Sequence, residues 1–143
     1  MTKNRGLVQQ RTRSLPDKTI PLPEPPRWYP PEPDPDLEYK INVPMPGLGR
    51  IIGRTQFDAA NRMTEFAMTA QVYHDGVWWD VARVDTAHAE VHAHFMYRTR
   101  SYEDREVLLE IVTQNDVDTG YQQAEALLIA CWAENVTRWK GGS

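Results

Sequence analysis

Three of the four histidines lie within one short segment, residues 83–97, which reads RVDTAHAEVHAHFMY. His88, His92 and His94 are separated by even numbers of residues, so on a β-strand their side chains point to the same face. Glu90 lies between them with the same parity. Imidazole nitrogens suit zinc and several other transition metals, and a carboxylate is a common additional ligand. One chemistry for this segment is therefore a metal-binding module that uses His92, His94 and Glu90.

Acid–base catalysis is a second chemistry for the same histidines, because imidazole is the side chain that titrates near neutral pH. Asp85 would orient an imidazole ring and Arg83 would hold a phosphate group. The result would be a metal-independent ribonuclease with the catalytic residues His88, His92, His94, Asp85 and Arg83. A third interpretation gives the histidines no chemistry, since one face of an antiparallel sheet is commonly polar and solvated. We favour the third, because H-x-H is a short motif, and expect no catalytic residue and no cofactor, with zinc as the alternative.

Alternating apolar and polar residues predict the strands that position these side chains. Residues 63–74, MTEFAMTAQVYH, have this period of two, and residues 77–85 form a second such run. Asp75-Gly76 lies between the two runs and predicts a type I′ hairpin turn, because both central residues of that turn need positive φ. The turn sets the register, in which Tyr73 pairs with Trp78 and Val72 pairs with Trp79.

A third strand is expected over residues 88–98, after a loop at Thr86-Ala87 that would place Arg83 opposite Glu90. Strand parity then sorts the side chains onto two faces. One face is expected to receive a helix and carries Ala82, Ala89, Val91, Ala93 and Phe95. The histidines are expected on the other face, together with Trp79, Phe66, Met68, Val72 and Val81.

The end of the chain completes the expected fold. Residues 105–113, REVLLEIVT, fit a strand or a helix, and their β-branched residues favour a fourth strand. An apolar stripe predicts a helix from about Gly120 to Lys140, with Thr119 and Gln122 as a capping box. The expected fold class is α+β: an antiparallel meander of three or four strands with a C-terminal helix packed on one face, preceded by an extended proline-rich arm.

The prolines divide the chain into two parts. All eleven lie between Pro16 and Pro46, and proline is excluded from helix interiors and central strands. We therefore expect an extended arm over residues 1–46, with polyproline II character, and a core domain over residues 47–143. The arm has a basic tip, because residues 1–18 hold five Lys and Arg against Asp17 alone, whereas residues 19–46 are acidic.

Large apolar side chains interrupt the arm, which is unusual for a flexible linker. Such anchors on a stiff extended backbone favour binding to a groove on a partner at a low entropy cost. We predict a non-enzymatic protein whose arm docks on neighbouring subunits of a larger assembly, with homo-oligomers included. Nucleic acid binding by the basic tip is a less favoured alternative. The predicted partner-binding residues are Leu22, Trp28, Tyr29, Tyr39 and, on the core, Trp79.

Composition excludes several classes of protein. No apolar run approaches 18 residues, so no membrane-spanning helix is expected. The first residues lack the apolar core of a secretory signal peptide, so we expect synthesis in the cytoplasm. The single cysteine, Cys131, rules out an internal disulfide framework and a Cys-rich zinc module.

The pattern D-T-A-H-x-x-x-H-x-H resembles a signature of small uncharacterised proteins of actinobacteria and their phages. Its residues are Asp85, Thr86, Ala87, His88, His92 and His94. The pattern is more distantly similar to TumE-type toxins, and that resemblance goes with the ribonuclease alternative. The resemblance to phage proteins implies a virion component, such as a minor tail protein. This is our leading expectation, since an extended arm adds contact area to a domain too small for a large interface.

Overall fold

The structure, a computed structural model, describes residues 27–141. One sheet has the strand order β1-β2-β3-β4-β5-β6, and every neighbouring pair is antiparallel. The predicted α+β antiparallel meander is confirmed, but the prediction of three or four strands is wrong, because the sheet has six. The elements are β1 (Glu38–Met45), β2 (Gly49–Phe57), β3 (Met63–His74), β4 (Val77–Ala87), β5 (Glu90–Phe95), β6 (Asp104–Glu110), α1 (Asn115–Ala130) and α2 (Trp132–Gly141).

The first strand lies inside the segment predicted as the arm. β1 pairs with β2 along its whole length, from Glu38 opposite Gln56 to Met45 opposite Gly49. Pro44 is tolerated there because an edge strand leaves half of its N–H groups outside the ladder. The sheet therefore begins before the boundary at residue 46 that the prolines predicted. Residues 1–26 of the predicted arm lie outside the described residues.

The β3–β4 hairpin has the predicted turn and register. Asp75 and Gly76 both have positive φ, 52° and 84°, as a type I′ turn requires. The predicted pairs are confirmed: Tyr73 lies opposite Trp78, and Val72 lies opposite Trp79.

The β4–β5 turn differs from the predicted one. The turn residues are His88 and Ala89, with φ of 54° and 61°, rather than Thr86-Ala87. Thr86 stays in β4, where its hydroxyl accepts a hydrogen bond from the backbone N–H of Phe66 at 3.1 Å. The shift changes the cross-strand partners, so that Ala87 lies opposite Glu90 and Arg83 lies opposite His94.

The left-handed conformation of Ala89 leads to a stability prediction. An L-residue with a Cβ is strained at a φ of 61°, and glycine is not. We expect Ala89→Gly to raise the free energy of unfolding by about 0.5–1 kcal/mol, after the loss of some unfolded-state entropy is counted. Urea denaturation measures this value. Gly76→Ala, at a φ of 84°, is the matched control and should destabilise; a stability of Ala89→Gly below wild type would refute the turn assignment.

A β-bulge in β4, at Val81, changes which face several side chains occupy. The register shifts between Ala70 and Gln71, so Ala70 pairs with Ala82 but Gln71 pairs with Asp80. Odd-numbered side chains of β4 therefore point to one face of the sheet before the bulge and to the opposite face after it. Trp79 was predicted on the histidine face, but its ring packs 5.8 Å from that of Trp139 in α2. The same correction applies to Phe66, Met68 and Val72, which lie on the helix side of the sheet.

Two helices replace the single predicted one. α1 begins at Asn115, before the predicted capping box, and Thr119 instead donates to the carbonyl oxygen of Asn115 at 3.3 Å. The start of α1 is fixed by Asp116, whose carboxylate accepts backbone N–H hydrogen bonds from Thr113 and Val112 at 3.0 and 2.9 Å. These bonds lower the pKa of Asp116. The helical run breaks at Cys131, and α2 follows.

The core lies between the helices and one face of the sheet. Close approach of α1 depends on Gly120, where an added Cβ would meet the side chain of Val91 at 2.7 Å. The largest fully buried side chain is that of Trp139. Neither α1 nor α2 is long and apolar enough to cross a membrane. The buried apolar residues are Ile51, Met63, Phe66, Met68, Ala70, Val72, Val81, Ala82, Val84, Val91, Ala93, Ile111, Val117, Ala124, Leu128, Trp132 and Trp139.

Candidate functional site

The face of the sheet opposite the helices, which we call the open face, carries most of the polar residues predicted from the sequence. The helices pack on the face of the sheet that carries Val91 and Trp79. Val91 lies beside Gly120 of α1, and Trp79 packs against Trp139 of α2. Side chains of opposite parity on β5 therefore point to the open face. His92 and His94 are two of them, and their cross-strand partners are Asp85 and Arg83.

Arg83, Asp85, His94 and Glu103 form a closed ring of contacts, which we call the four-residue cluster. Glu103 comes from the loop 96–103, and its carboxylate lies 2.7 Å from Nδ1 of His94. Asp85 lies 3.3 Å from Nε2 of the same ring. Arg83 contacts both carboxylates, at 3.0 Å to Asp85 and 3.6 Å to Glu103. The cluster ties β4, β5 and the loop together.

Both nitrogens of His94 are engaged by carboxylates of its own chain. The residue is only 7% exposed. A neutral imidazole donates from one nitrogen only, so both contacts are hydrogen bonds when the ring carries two protons. A general acid or base needs a ring nitrogen within reach of a substrate proton. The arrangement of the four-residue cluster is therefore that of a structural tie between strands.

His92 is similarly enclosed. The residue is 4% exposed, and its Nε2 lies 2.9 Å from the carboxylate of Glu90. Its ring centroid lies 6.1 Å from that of His94. Although His92, His94 and Glu90 share the open face as predicted, no group of three or more His, Cys, Asp or Glu residues between positions 27 and 141 could hold a metal ion.

His88 does not join the other two histidines. The prediction of three histidines on one strand face is wrong, because His88 is an exposed turn residue with positive φ. Its carbonyl oxygen accepts a hydrogen bond from Nη1 of Arg27 at 3.4 Å. The five residues predicted for a ribonuclease therefore separate, and only Arg83, Asp85 and His94 contact one another, with His92 beside His94.

The predicted partner-binding residues also separate. Leu22 lies outside the described residues. Trp28 is half-buried against the core of its own chain, beside the β4–β5 turn. Tyr29 is exposed, and half-exposed Tyr39 packs edge-on against Phe57 at 5.5 Å. Trp79 donates from Nε1 to the carbonyl oxygen of His74 at 2.9 Å, and thus helps to hold the β3–β4 hairpin.

A surface that the sequence did not single out lies at the other end of the open face. Tyr73 and Trp78 are 45% and 37% exposed, and their rings meet edge-on at 5.3 Å. The guanidinium of Arg50 lies over the Trp78 ring, 3.9 Å from its centroid. We call Arg50, Tyr73 and Trp78 the aromatic patch.

Hydrogen bonds hold the aromatic patch in place. Arg50 Nε donates to Gln71 at 2.8 Å, and Gln71 in turn donates to Asp80 at 2.8 Å. The predicted register already paired Tyr73 with Trp78. Arg50 was missed because it lies on β2, and the pairing of β2 with β3 has no turn signal as clear as Asp75-Gly76.

A shallow groove of about 560 Å³ lies beside β1 on the open face. Its floor includes Ile52, Ala67 and Thr69, and Lys40 and Arg54 supply positive charge. Thr69 pairs with Arg83 of the four-residue cluster, and Gln71, which holds Arg50 of the aromatic patch, follows two residues later on β3. The open face therefore presents a strip with an apolar floor and two basic side chains, of which Arg54 lies 3.7 Å from the carboxylate of Glu38, and with aromatic side chains at one end.

Comparison with known proteins identifies a family for the chain. No curated protein and no solved structure is significantly similar to the chain. Residues 38–142 match the family described as Domain of unknown function (DUF7718), and this range begins at the first residue of β1 and contains the whole sheet and both helices. The match covers most of the chain, so the protein belongs to the DUF7718 family.

Proposed function

We propose that this protein is a non-enzymatic assembly subunit that binds neighbouring protein subunits through the open face of its sheet. The observation that carries the proposal is the aromatic patch. Trp, Tyr and Arg are the residues most enriched where single side chains dominate the energy of a protein interface. A monomer in water gains no stability from exposing these three side chains together, so their exposure indicates a binding surface.

The aromatic patch is organised before a partner arrives. The edge-on contact between Tyr73 and Trp78 fixes both rings, and Gln71 and Arg50 are fixed by their hydrogen bond. Immobilising a flexible side chain on binding costs about 0.5–1.5 kcal/mol, so groups already held in place bind more tightly. The patch therefore offers contact area at a reduced entropy cost.

The histidine geometry supports a non-enzymatic role. The ring nitrogens of His94, and Nε2 of His92, face carboxylates of their own chain. The resemblance of the 85–94 segment to proteins of phages makes a virion component, such as a minor tail protein, the class of assembly that we propose. The N-terminal arm would then extend the contact to further subunits.

Sedimentation of the native full-length protein from its source material tests the proposal. We expect the protein to travel with a large particle at fixed stoichiometry. Trp78→Ala should weaken the association about 30-fold, the loss typical of an interface residue worth about 2 kcal/mol.

Ile129→Ala is the matched control, because Ile129 is at least as exposed as Trp78 but lies on α1, away from the open face. Its association should match that of wild type. A wild-type protein that stays at the top of the gradient, or a Trp78→Ala protein that assembles like wild type, would overturn the proposal.

A further inference from the structure

The two edges of the sheet differ in how far they are protected from pairing with another strand. β6 forms one edge; its seven residues include three carboxylates and one arginine, and a register shift opposite Val91 and His92 places a bulge in it. Charged side chains and bulges are devices that keep edge strands apart. β1 forms the other edge, pairs with β2 at eight consecutive positions without a shift, and has two charged side chains, Glu38 and Lys40. β1 is therefore the edge that is open to a further strand.

The backbone of β1 presents hydrogen-bonding groups away from the sheet. Phe57 donates from its N–H to the carbonyl oxygen of Leu37 at 3.2 Å, and this contact continues the β1–β2 register by one position. Antiparallel pairs alternate, so odd-numbered residues of β1 direct their backbone groups at β2 and even-numbered residues direct theirs outward. Within residues 27–141, no strand pairs with the outward groups. The residues that have an outward N–H are Glu38, Lys40 and Asn42.

The side chains of β1 on the helix side form an apolar strip that the helices leave partly uncovered. Ile41 lies opposite Gly53, which lies opposite the buried Met68 of β3, so odd-numbered side chains of β1 point to the helix side. Tyr39 is 51% exposed, and the other side chains of the strip are half-buried. A strand added beside β1 would cover this strip while it pairs with the outward backbone groups. The strip consists of Tyr39, Ile41, Val43 and Met45.

A second copy of β1 fits this edge in an antiparallel register centred on Ile41. Lys40 of one strand then lies opposite Asn42 of the other strand, and Glu38 lies opposite Pro44. Each outward N–H group meets an outward carbonyl oxygen, because even-numbered residues pair with even-numbered residues. Pro44 has no N–H, so one carbonyl oxygen of each strand, that of Glu38, is left to solvent. The proline therefore removes one hydrogen bond per strand without blocking the pairing.

The side chains favour this register over its neighbours. The register centred on Lys40 places two lysines opposite each other, and like charges in that position are destabilising. The register centred on Asn42 directs the first outward N–H of each strand at a residue beyond the end of the other strand. The register centred on Ile41 places Tyr39 opposite Val43, and such aromatic and β-branched pairs stabilise sheets.

We propose that β1 pairs with β1 of a second copy of this chain, so that two sheets join into one across a two-fold axis. A two-fold interface uses the same residues on both sides, as this register does. The axis is perpendicular to the joined sheet, so both open faces lie on one side and the helices lie on the other. The dimer thus presents two aromatic patches on one surface, which adds valency to each of them. The inference goes beyond the proposed open-face contact and does not depend on it.

Disulfide trapping in the full-length protein tests the contact and its register. Cys131→Ser removes the single native thiol, and Ile41→Cys then supplies the only one. Opposite residues of a non-hydrogen-bonded pair have Cα atoms about 4.5 Å apart, within the range of ~4.4–6.8 Å that a disulfide spans. We expect Ile41→Cys to form a covalent dimer at least tenfold faster than Val43→Cys.

Val43→Cys is the matched control, because Val43 is also half-buried on the same face of β1. In the proposed register the two copies of this position are offset by four residues, about 14 Å along the strands, which no disulfide spans. A mixture of Val43→Cys chains with tagged Tyr39→Cys chains should trap as fast as Ile41→Cys, because these two positions lie opposite each other. Equal trapping rates for Ile41→Cys and Val43→Cys, each alone, would overturn the proposal.

Proline substitutions test the outward backbone groups with the same trapping readout. Asn42→Pro removes an outward N–H that β2 does not use, so the domain should keep its circular dichroism spectrum while the Ile41→Cys chain traps at least tenfold more slowly. Glu110→Pro on β6 is the control. Ile111 donates to the carbonyl oxygen of Ala89, so the N–H of Glu110 also points outward, and this variant should trap at the unsubstituted rate.

Trp78→Ala separates this inference from the open-face proposal. Trp78 lies outside the β1 contact, so the Ile41→Cys chain with Trp78→Ala should still trap at the unsubstituted rate. Chains that associate with the large particle through Trp78, but in which Ile41→Cys traps no faster than Val43→Cys, overturn the β1 contact and leave the open-face proposal standing. Rapid trapping in a protein that joins no particle supports the β1 dimer and overturns the open-face proposal alone.

Discussion

Replacing Trp139 with alanine is expected to lower the free energy of unfolding by about 3–5 kcal/mol, as for other buried tryptophans. Trp139 is 1% exposed and is the largest fully buried side chain. Its ring lies 5.5 Å from the ring of His74 and 5.8 Å from that of Trp79. Its carbonyl oxygen accepts the N–H of Arg98 at 3.0 Å. The residue thus joins α2, the β3–β4 hairpin and the loop 96–103.

Chemical denaturation of the full-length protein, followed by tryptophan fluorescence and circular dichroism, measures this loss. Trp139→Phe is the matched control, because it keeps an aromatic ring and should lose less than half as much stability. A loss below about 1 kcal/mol for Trp139→Ala would show that the ring is not part of the core.

Replacing His94 with alanine is expected to cost about 2–3 kcal/mol. The substitution leaves a cavity and places Asp85 and Glu103 near each other without the imidazole between them. Leaving a buried hydrogen-bonding group without its partner costs about 1–3 kcal/mol, the cavity adds to that cost, and the partial exposure of these carboxylates reduces it. Arg83 still contacts both carboxylates.

His88→Asn is the control for His94→Ala. His88 lies in the β4–β5 turn, and asparagine tolerates its positive φ, so its stability should stay within about 0.5 kcal/mol of wild type. A His94→Ala protein as stable as wild type would contradict the role of the four-residue cluster as a tie between strands.

Local turn chemistry made part of the fold predictable. Asp75-Gly76 fixed the β3–β4 register, because few other dipeptides tolerate positive φ twice. His88-Ala89 adopts the same turn without such a signal, so the β4–β5 turn was predicted two residues too early, and Arg83 was paired with Glu90 and not with His94. β1 was not predicted because it contains Pro44. An edge strand tolerates proline, but the sequence alone does not show which strand is at the edge.

The candidate site depends on features that a single sequence does not reveal. The bulge at Val81 of β4 moved Trp79 from the predicted histidine face to the helix side, and a bulge has no reliable residue signature. The contact between Arg50 and Trp78 joins β2 to β4 across β3, so it follows from the sheet order and not from local spacing. The spacing identified the histidines, but only the packed structure shows that Glu90 and Glu103 enclose them.

Hydroxyl-radical footprinting of the native assembly tests the central claim most directly, because mass spectrometry reads the solvent exposure of each residue. The comparison is between the assembled protein and the same chain after dissociation. The account predicts that oxidation of Tyr73 and Trp78 falls at least fivefold in the assembly, while Ile129 on α1 reacts equally in both states. Equal oxidation of Tyr73 and Trp78 in the two states, with protection on the helix side, would contradict it.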